Sequence, residues 1–540
     1  MLGIHKIWRS YTLLEKRNIA FYIGGIMCYK FGIEFFNGSI IALAADRFGA
    51  AHAYTKLGAA TGLNQAAQCV GAILIAPLIK SWPTRTVLAF GIFTFALMTT
   101  LLLVVDAGTG GHFKDPISKD PQYGSWPVDL IFLFWTLSGI CYGMVELIRR
   151  VIPADIVGGK VHKLRPMDAT VHIFYEIAGM SGAFASSSAI DRFGSNYSFF
   201  LTPVFFTLAG VIWLFVSTLS FRQDSIIDGE LDQNGLAKVG PKGRTSAGYV
   251  AQVGRGISSF GESVWVGGKL IFLNRRFIWL LPSYAVALYL HRFLENILAT
   301  TFANLVLVNP AWSQIIVGGS NFGELLGALA VLLLSNLVTT PLPWLRFDAL
   351  ALNLVWLLPF FSTIATPGDI TWAVKAAACV LPISMGWAAG DVSLAAYIQS
   401  ALTESNFSHP RVSALGAVMA FLYATYIIMN ATLGSALGKV IDNEFNRTKS
   451  PYTAYLTVGG AQFSVACVVI LLSTFVPVGA CAFNPKVIGI VDISTEEPIR
   501  PTGNRLHLPQ RNDDLSDDES VGVGGIKLED RLRTQTTHSH

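Results

Sequence analysis

Charge is what this sequence has least of. Only 14% of its 540 residues are Asp, Glu, Lys or Arg, against about 25% in ordinary soluble domains. With 52% hydrophobic residues and a mean hydropathy of +0.50, a soluble fold would have little polar surface to offer water. The composition therefore implies a multi-span helical membrane protein. The net charge is only +4, and no nucleic-acid partner is expected. Cysteine is scarce as well. Cys28, Cys69, Cys141, Cys379, Cys467 and Cys481 lie mostly in apolar runs and form no CxxC pair, so they read as small buried hydrophobes. No phosphate loop, dinucleotide fingerprint, zinc spacing or nucleophile elbow stands in a fitting context. No catalytic residue, cofactor or metal is expected, and the chain does not read as an enzyme. A cleavable signal peptide is also missing: MLGIHKIWRSYTLLEKRN is basic and amphipathic, and the apolar run behind it is too long for a signal core.

What is present is a series of long apolar runs. A span needs about 20 such residues. Candidates lie near 18–44, 57–79, 86–106, 128–148, 168–190 and 198–220, then 277–305, 312–338, 347–366, 371–400, 412–438 and 453–477. The expected fold is an all-α membrane protein of twelve transmembrane helices in two pseudo-symmetric six-helix bundles. Residues 1–17 form a cytosolic lead-in, 18–220 the first bundle, 221–276 a cytosolic linker, 277–480 the second bundle, and 481–540 a disordered cytosolic tail. Within the linker, Val250, Val253, Ile257, Phe260, Val264 and Ile271 recur at helical spacing, which predicts an amphipathic helix on the membrane surface. One set of loops holds Lys80, Arg85, Arg149, Arg150, Lys160, Lys163 and Arg165, and the linker adds more. The opposite set holds few basic residues, so both termini are placed in the cytosol. Two sequons, Asn196-Tyr-Ser and Asn446-Arg-Thr, fall in the opposite loops, where glycosylation is expected. The membrane is the plasma membrane or a vacuolar or other endomembrane.

The halves repeat faintly. GICYG at 139–143 matches GWAAG at 386–390, QCVGAIL at 68–74 matches ELLGALA at 324–330, and spans 5 and 11 end on Asp191 and Asp442. Six plus six spans around a cytosolic linker resemble the major facilitator superfamily. That family's loop pattern between spans 2 and 3 is met in frame by GAILIAPLIKSWPTRTVLAFG, residues 71–91, through Gly71, Pro77, Arg85 and Val87-Leu88. Its charges are not met: Lys80 stands for Asp, Ser81 for Arg and Pro83 for Gly. Trp135 stands where the family's proton antiporters carry Arg. The resemblance implies alternating access and a central cavity lined by spans 1, 2, 4, 5, 7, 8, 10 and 11, with spans 3, 6, 9 and 12 outside.

Polar residues inside the runs point the same way. In YKFGIEFFNG, Lys30 lies about 18 Å into span 1 at about 1.5 Å per residue, near the midplane. Lys30 and Glu34 are i,i+4 on one face, with Asn37 close by. Span 7 repeats the device as Arg292 and Glu295, beside His291. Span 8 carries Glu324, span 5 His172 and Glu176, span 2 Asn64 and Gln68, and span 10 Asp391 nearer one end. Spans 3, 6, 9 and 12 carry no charge at mid-depth. An ion in hydrocarbon costs at least about 2.5–3.5 kcal/mol, so these faces must point into protein or a wet cavity. Lys30, Glu34, Asn37, Asn64, Gln68, Glu176, Arg292, Glu295, Glu324 and Asp391 are the expected substrate and ion pathway. The plain alternative is a set of buried pairs that only fix helix register; Glu176 and Glu324 lack a same-helix partner and are the stronger pathway candidates. The expected function is secondary transport of a small polar or charged solute, coupled to H+, by a monomer whose other partner is membrane lipid. The rival classes are a non-transporting receptor or scaffold on the same fold, which would bind ligand without flux, and an integral membrane enzyme.

Overall fold

Thr12 starts the first long helix. Its hydroxyl accepts from the Glu15 amide, and the Glu15 carboxylate accepts from the Thr12 amide in return, so two otherwise orphaned donors are satisfied at once. Lys163, at the start of a distant helix, bonds the same carboxylate at 2.8 Å and ties the two ends together. The structure is a computed structural model that describes residues 11–49, 52–115, 122–149, 152–157, 161–217, 248–334, 337–404, 414–485 and 488. The expectations for residues 1–10, for most of the linker (221–247) and for the tail beyond 488 lie outside the described residues.

Helices stand where the apolar runs predict them. In chain order they are α1 Leu13–Arg47, α2 Ala53–Ser81, α3 Thr84–Gly108, α4 Leu130–Arg149, α5 Val161–Phe193 and α6 Ser198–Leu214. After the linker come α7 Arg275–Val306, α8 Pro310–Leu334, α9 Leu342–Ile364, α10 Ile370–Glu404, α11 Ala414–Thr448 and α12 Tyr452–Ser473. Ten of them are long and apolar enough to cross a membrane. The other two are α6, which is apolar but shorter, and α5, which is long but carries Lys163, Arg165, Asp168, His172 and Glu176.

Helix α1 packs on α5 and α6, α3 on α6, and α2 on α4; in the later half α8 packs on α10 and α10 on α9. Two broad contacts join the halves, α2 with α11 and α5 with α8. The small residues decide how closely these helices approach. A Cβ at Gly139 or Gly143 would strike the α2 backbone at Asn64 or Gln68. The GWAAG counterpart behaves differently: Gly386 and Gly390 face Asp348 and Leu345 of α9. The contact equivalent to α2–α4 is made instead by Gly319, Gly323 and Gly327 of α8 on the α10 backbone. The helix pairing repeats, and so does one of its glycines: Gly71 of α2 meets the Ile140 carbonyl of α4 as its repeat mate Gly327 meets the Met385 carbonyl of α10, while the glycines of α4 have no such counterparts on α10.

The linker helix is present as Tyr249–Phe272. Its Gly267 and Ile271 are buried against α11, where Gly267 meets the Ala417 carbonyl. At its other end Tyr249 donates 2.8 Å to the Leu74 carbonyl of α2. Val250, Ile257, Trp265 and Phe272 are exposed, an apolar face of the kind that lies on lipid. Of the two sequons, Asn196 is buried, and its amide donates to Asp106 at 2.8 Å and to the Gln122 carbonyl at 3.1 Å. Asn446 is exposed in the last turn of α11.

Candidate functional site

Glycines in α5 make room for charge on α1. A Cβ at Gly179 would run into the Lys30 side chain, and one at Gly182 would press on Phe31 and Glu34. In that space Lys30 Nζ meets Glu34 Oε1 at 2.5 Å, with both residues buried. The ammonium also sits 4.7 Å from the centre of the Tyr175 ring, a favourable cation–π distance.

A second cation uses the same ring. Arg149, counted from sequence among the loop charges, belongs to the last turn of α4. It pairs with Glu146 at 2.6 Å and lies 4.5 Å from the Tyr175 ring centre, while Tyr29 donates to Glu146 Oε1 at 3.2 Å. The signal for this group was present, because Glu146 and Arg149 are i,i+3 like Arg292 and Glu295. The boundary assigned to the fourth run hid it.

The third pair lies on α7. Helix α7 is interrupted by π-helical turns at Leu281–Val286, Leu294–Leu298 and Phe302–Val306, a local rewinding that re-aims side chains and is common at functional sites. Arg292 bonds Glu295 at 2.8 Å, and the Ser320 hydroxyl of α8 donates to the other Glu295 oxygen at 2.5 Å. Arg292 keeps 42% of its side-chain surface accessible although its helix neighbours are buried. Its charged and polar surroundings come from both halves: Tyr142, Glu324 and Tyr426.

Glu176 of α5 and Glu324 of α8 lie within electrostatic reach of each other across the α5–α8 contact. Glu324 also lies within electrostatic reach of Glu295, Arg292 and Lys30. One sequence expectation needs correction here. Glu176 does have a same-helix neighbour, because His172 Nε2 stands 3.9 Å from its Oε1. That is too long for a hydrogen bond, and the second Glu176 oxygen is buried without a partner. His172 in turn faces Asp391 of α10 electrostatically.

The remaining expected residues are placed less centrally. Asn64 donates to the Trp135 carbonyl at 2.8 Å and so ties α2 to α4, while Gln68 donates to Asn64 within α2 at 2.9 Å. Asn37 is half-buried on α1. One outer helix buries a charge in its first turns. Asp348 of α9 is fully buried, 2.9 Å from His291 Nε2, and the His291 ring packs on Trp387. Helix α9 begins at Leu342, five residues before the expected boundary, so Asp348 lies inside the helix and not at its mouth.

Above the cluster, on the side of the sequons, the halves close. The Asp442 carboxylate at the end of α11 accepts from the amides of Tyr54 (3.1 Å) and Thr55 (2.8 Å) and from the Thr55 hydroxyl (2.6 Å). It thereby caps the first turn of α2. Its repeat mate Asp191, at the end of α5, accepts from Asn309 just before α8 at 3.4 Å. Gly58 lies on Gly434 and Gly62 on Ala431, so the backbones touch. Asp46, Tyr54, Asn304 and Asp442 line a cavity of about 250 Å³ there. Tyr123 donates to Asp46 at 2.7 Å, and burial together with that carboxylate raises the phenol well above its usual range, so it stays a donor.

Comparisons with known proteins were made on this framework. A family model described as Major Facilitator Superfamily matches residues 22–419. No curated protein matches the chain in sequence. Among solved structures it is similar to the nucleoside transporter NupG, at 13% identity and a TM-score of 0.51 over 86% of this chain and 99% of that one. It is also similar to the xylose transporter XylE from E. coli in a partially occluded inward open conformation, at 11% identity and a TM-score of 0.54 over 86% and 98%. A peptide transporter POT bound to alafosfalin gives 14% identity and a TM-score of 0.53 over 84% and 93%.

Proposed function

The chain belongs to the Major Facilitator Superfamily and is a secondary transporter, and on that premise we propose that it carries a small polar or charged solute by alternating access. The observation that carries this reading is a cluster of charged pairs drawn from both halves. Lys30–Glu34, Arg149–Glu146 and Arg292–Glu295 come from both halves, and Glu176 and Glu324 meet where the halves touch. Helix bundles that move solutes place their sites at the midplane between repeats. Two six-helix bundles, 18–220 and 277–480, would rock about this point. The closed sequon end and the accessible surface of Arg292 support a conformation open towards the basic end. Two buried carboxylates facing each other do not ionise together cheaply, so in this reading Glu176 and Glu324 would be the coupling site for H+. The protein would act as a monomer in a plasma or endomembrane, with its basic loops in the cytosol and no enzymatic step.

A thermal-shift screen of the purified protein against small metabolites tests the reading. A ligand at 100-fold over its dissociation constant adds about 2.7 kcal/mol. The expected result is a hit that is lost in Arg292→Gln and in Glu34→Gln. A hit retained in both variants would move the site elsewhere. Topology has its own check. Expressed in a glycosylating host, the protein should carry a single glycan at Asn446, because Asn196 is buried. Glycosidase treatment should then give one gel shift, absent in Asn446→Gln; a shift that survives in that variant would place the glycan elsewhere.

A further inference from the structure

We propose that the linker helix Tyr249–Phe272 is a brace that holds the basic end of the molecule open, and that it has to leave α2 whenever that end closes; this rests on the alternating-access reading above. Helices α2 and α11 come from opposite halves and touch at the sequon end. A Cβ at Gly58 would strike the Gly434 carbonyl there, and one at Gly62 the Ala431 backbone. At about 1.5 Å per residue, Leu74 lies about 24 Å further along α2 and Ala417 about 26 Å back along α11, so the two stand at one level. The linker helix crosses between them. Near its start the Tyr249 hydroxyl donates 2.8 Å to the Leu74 carbonyl, and Gly256 lies opposite Ile73. Near its end Gly267 meets the Ala417 carbonyl, and the Phe272 and Phe421 rings stand edge to face with centres 5.7 Å apart.

Helical periodicity puts Tyr249, Gly256, Gly267 and Ile271 on one face. The gap between the two anchors is therefore the length of helix between them, about 16 Å from Gly256 to Gly267 at about 1.5 Å per residue. Helices packed directly on one another lie about 8–10 Å apart. So α2 and α11 form a V, closed at the sequon end and spread at the basic end, with the linker helix across its mouth. A continuous α-helix cannot shorten, and the mouth cannot close while both anchors hold. The anchors are unequal. On α11, Gly267 and Ile271 are buried and Gly267 lies backbone to backbone. On α2 the hold is one hydrogen bond from a tyrosine that is 45% exposed, beside a half-buried glycine. The α2 anchor is the one that releases, and the helix then travels with α11. Val250 and Ile257, exposed beside that anchor, give the freed end a lipid surface to rest on.

A reversible lock tests the brace. Ile73→Cys with Gly256→Cys puts two thiols at the α2 anchor, where a Cβ at Gly256 lies 3.2 Å from the Ile73 side chain. Cys69, one turn away on α2, is replaced by Ala so that it does not compete. The full chain is oxidised in phosphatidylcholine nanodiscs, and peptide mapping should find the disulfide between positions 73 and 256. Opening of the sequon end is read by hydrogen exchange of the peptide covering 430–445, whose amides the Asp442 carboxylate does not cap. With the thiols reduced, Asp442→Ala should speed that exchange; the disulfide should abolish the gain, and reductant should restore it. Tyr249→Phe, which removes only the bond to Leu74, should speed exchange about fivefold with Asp442 in place, the equilibrium value of one ordinary hydrogen bond. A gain that survives the disulfide overturns the brace and leaves alternating access intact. A disulfide that does not form overturns the α2 anchor and the brace with it. Exchange that neither Asp442→Ala nor Tyr249→Phe accelerates overturns the brace and counts against alternating access as well.

Discussion

Replacing Asp442 by Ala is expected to loosen the sequon end. In the closed structure that carboxylate accepts three hydrogen bonds from the first turn of α2 and is itself fully buried. Losing a cap of this kind costs about 0.5–2 kcal/mol, and each buried amide left unpaired adds about 1–3 kcal/mol. In the open state the same amides meet water, so the loss falls on the closed state alone. About 2 kcal/mol shifts the open-to-closed ratio roughly thirtyfold, at about 1.4 kcal/mol per tenfold. Hydrogen exchange of the peptide covering 52–63 should accelerate, as should that covering 430–445. Asp191→Ala serves as the internal comparison. Asp191 is 58% exposed and its bond to Asn309 is long, so its effect should stay below about 1 kcal/mol. Equal acceleration in the two variants, or none in Asp442→Ala, would refute the cap as the closing contact.

Lys30→Met is expected to be the most destabilising single neutralisation in the cluster. Both members of the Lys30–Glu34 pair are at least 90% buried in their side chains, so removing the ammonium leaves Glu34 as an uncompensated charge, at a cost of about 3–5 kcal/mol. The double variant Lys30→Met/Glu34→Gln removes the second charge and should recover most of that loss. The same comparison separates the pair's two roles. If the pair belongs to the pathway, the double variant is as stable as wild type by thermal unfolding and fails in transport or ligand binding. If the pair only fixes helix register, the double variant works. A double variant as unstable as the single one would contradict the charge-pair account itself.

Much of this was legible in the residues. The i,i+4 spacing of Lys30 and Glu34 and the i,i+3 spacing of Arg292 and Glu295 predict pairs that the structure contains, because helix periodicity alone decides which side chains share a face. The same arithmetic would have found Glu146–Arg149 had the fourth run been extended by one residue. The repeat paired Asp191 with Asp442. Asp46 and Asn304 line one cavity, and Asp191 and Asp442 each reach the start of a helix in the other half.

The sequence by itself determined the membrane-spanning helical class, the helix positions and the pairs within a helix. These follow from hydropathy and a fixed rise per residue. Tertiary structure alone decided that Glu176 faces Glu324, that Tyr175 serves two cations, that Asp348 lies against His291, that Asn196 is shut inside its loop, and that Asp442 caps α2. Those contacts join residues far apart in the chain. They depend on how closely helices pack and how each is rotated, which is set by glycines such as Gly179 and Gly434 meeting particular neighbours and leaves no periodic mark in the sequence.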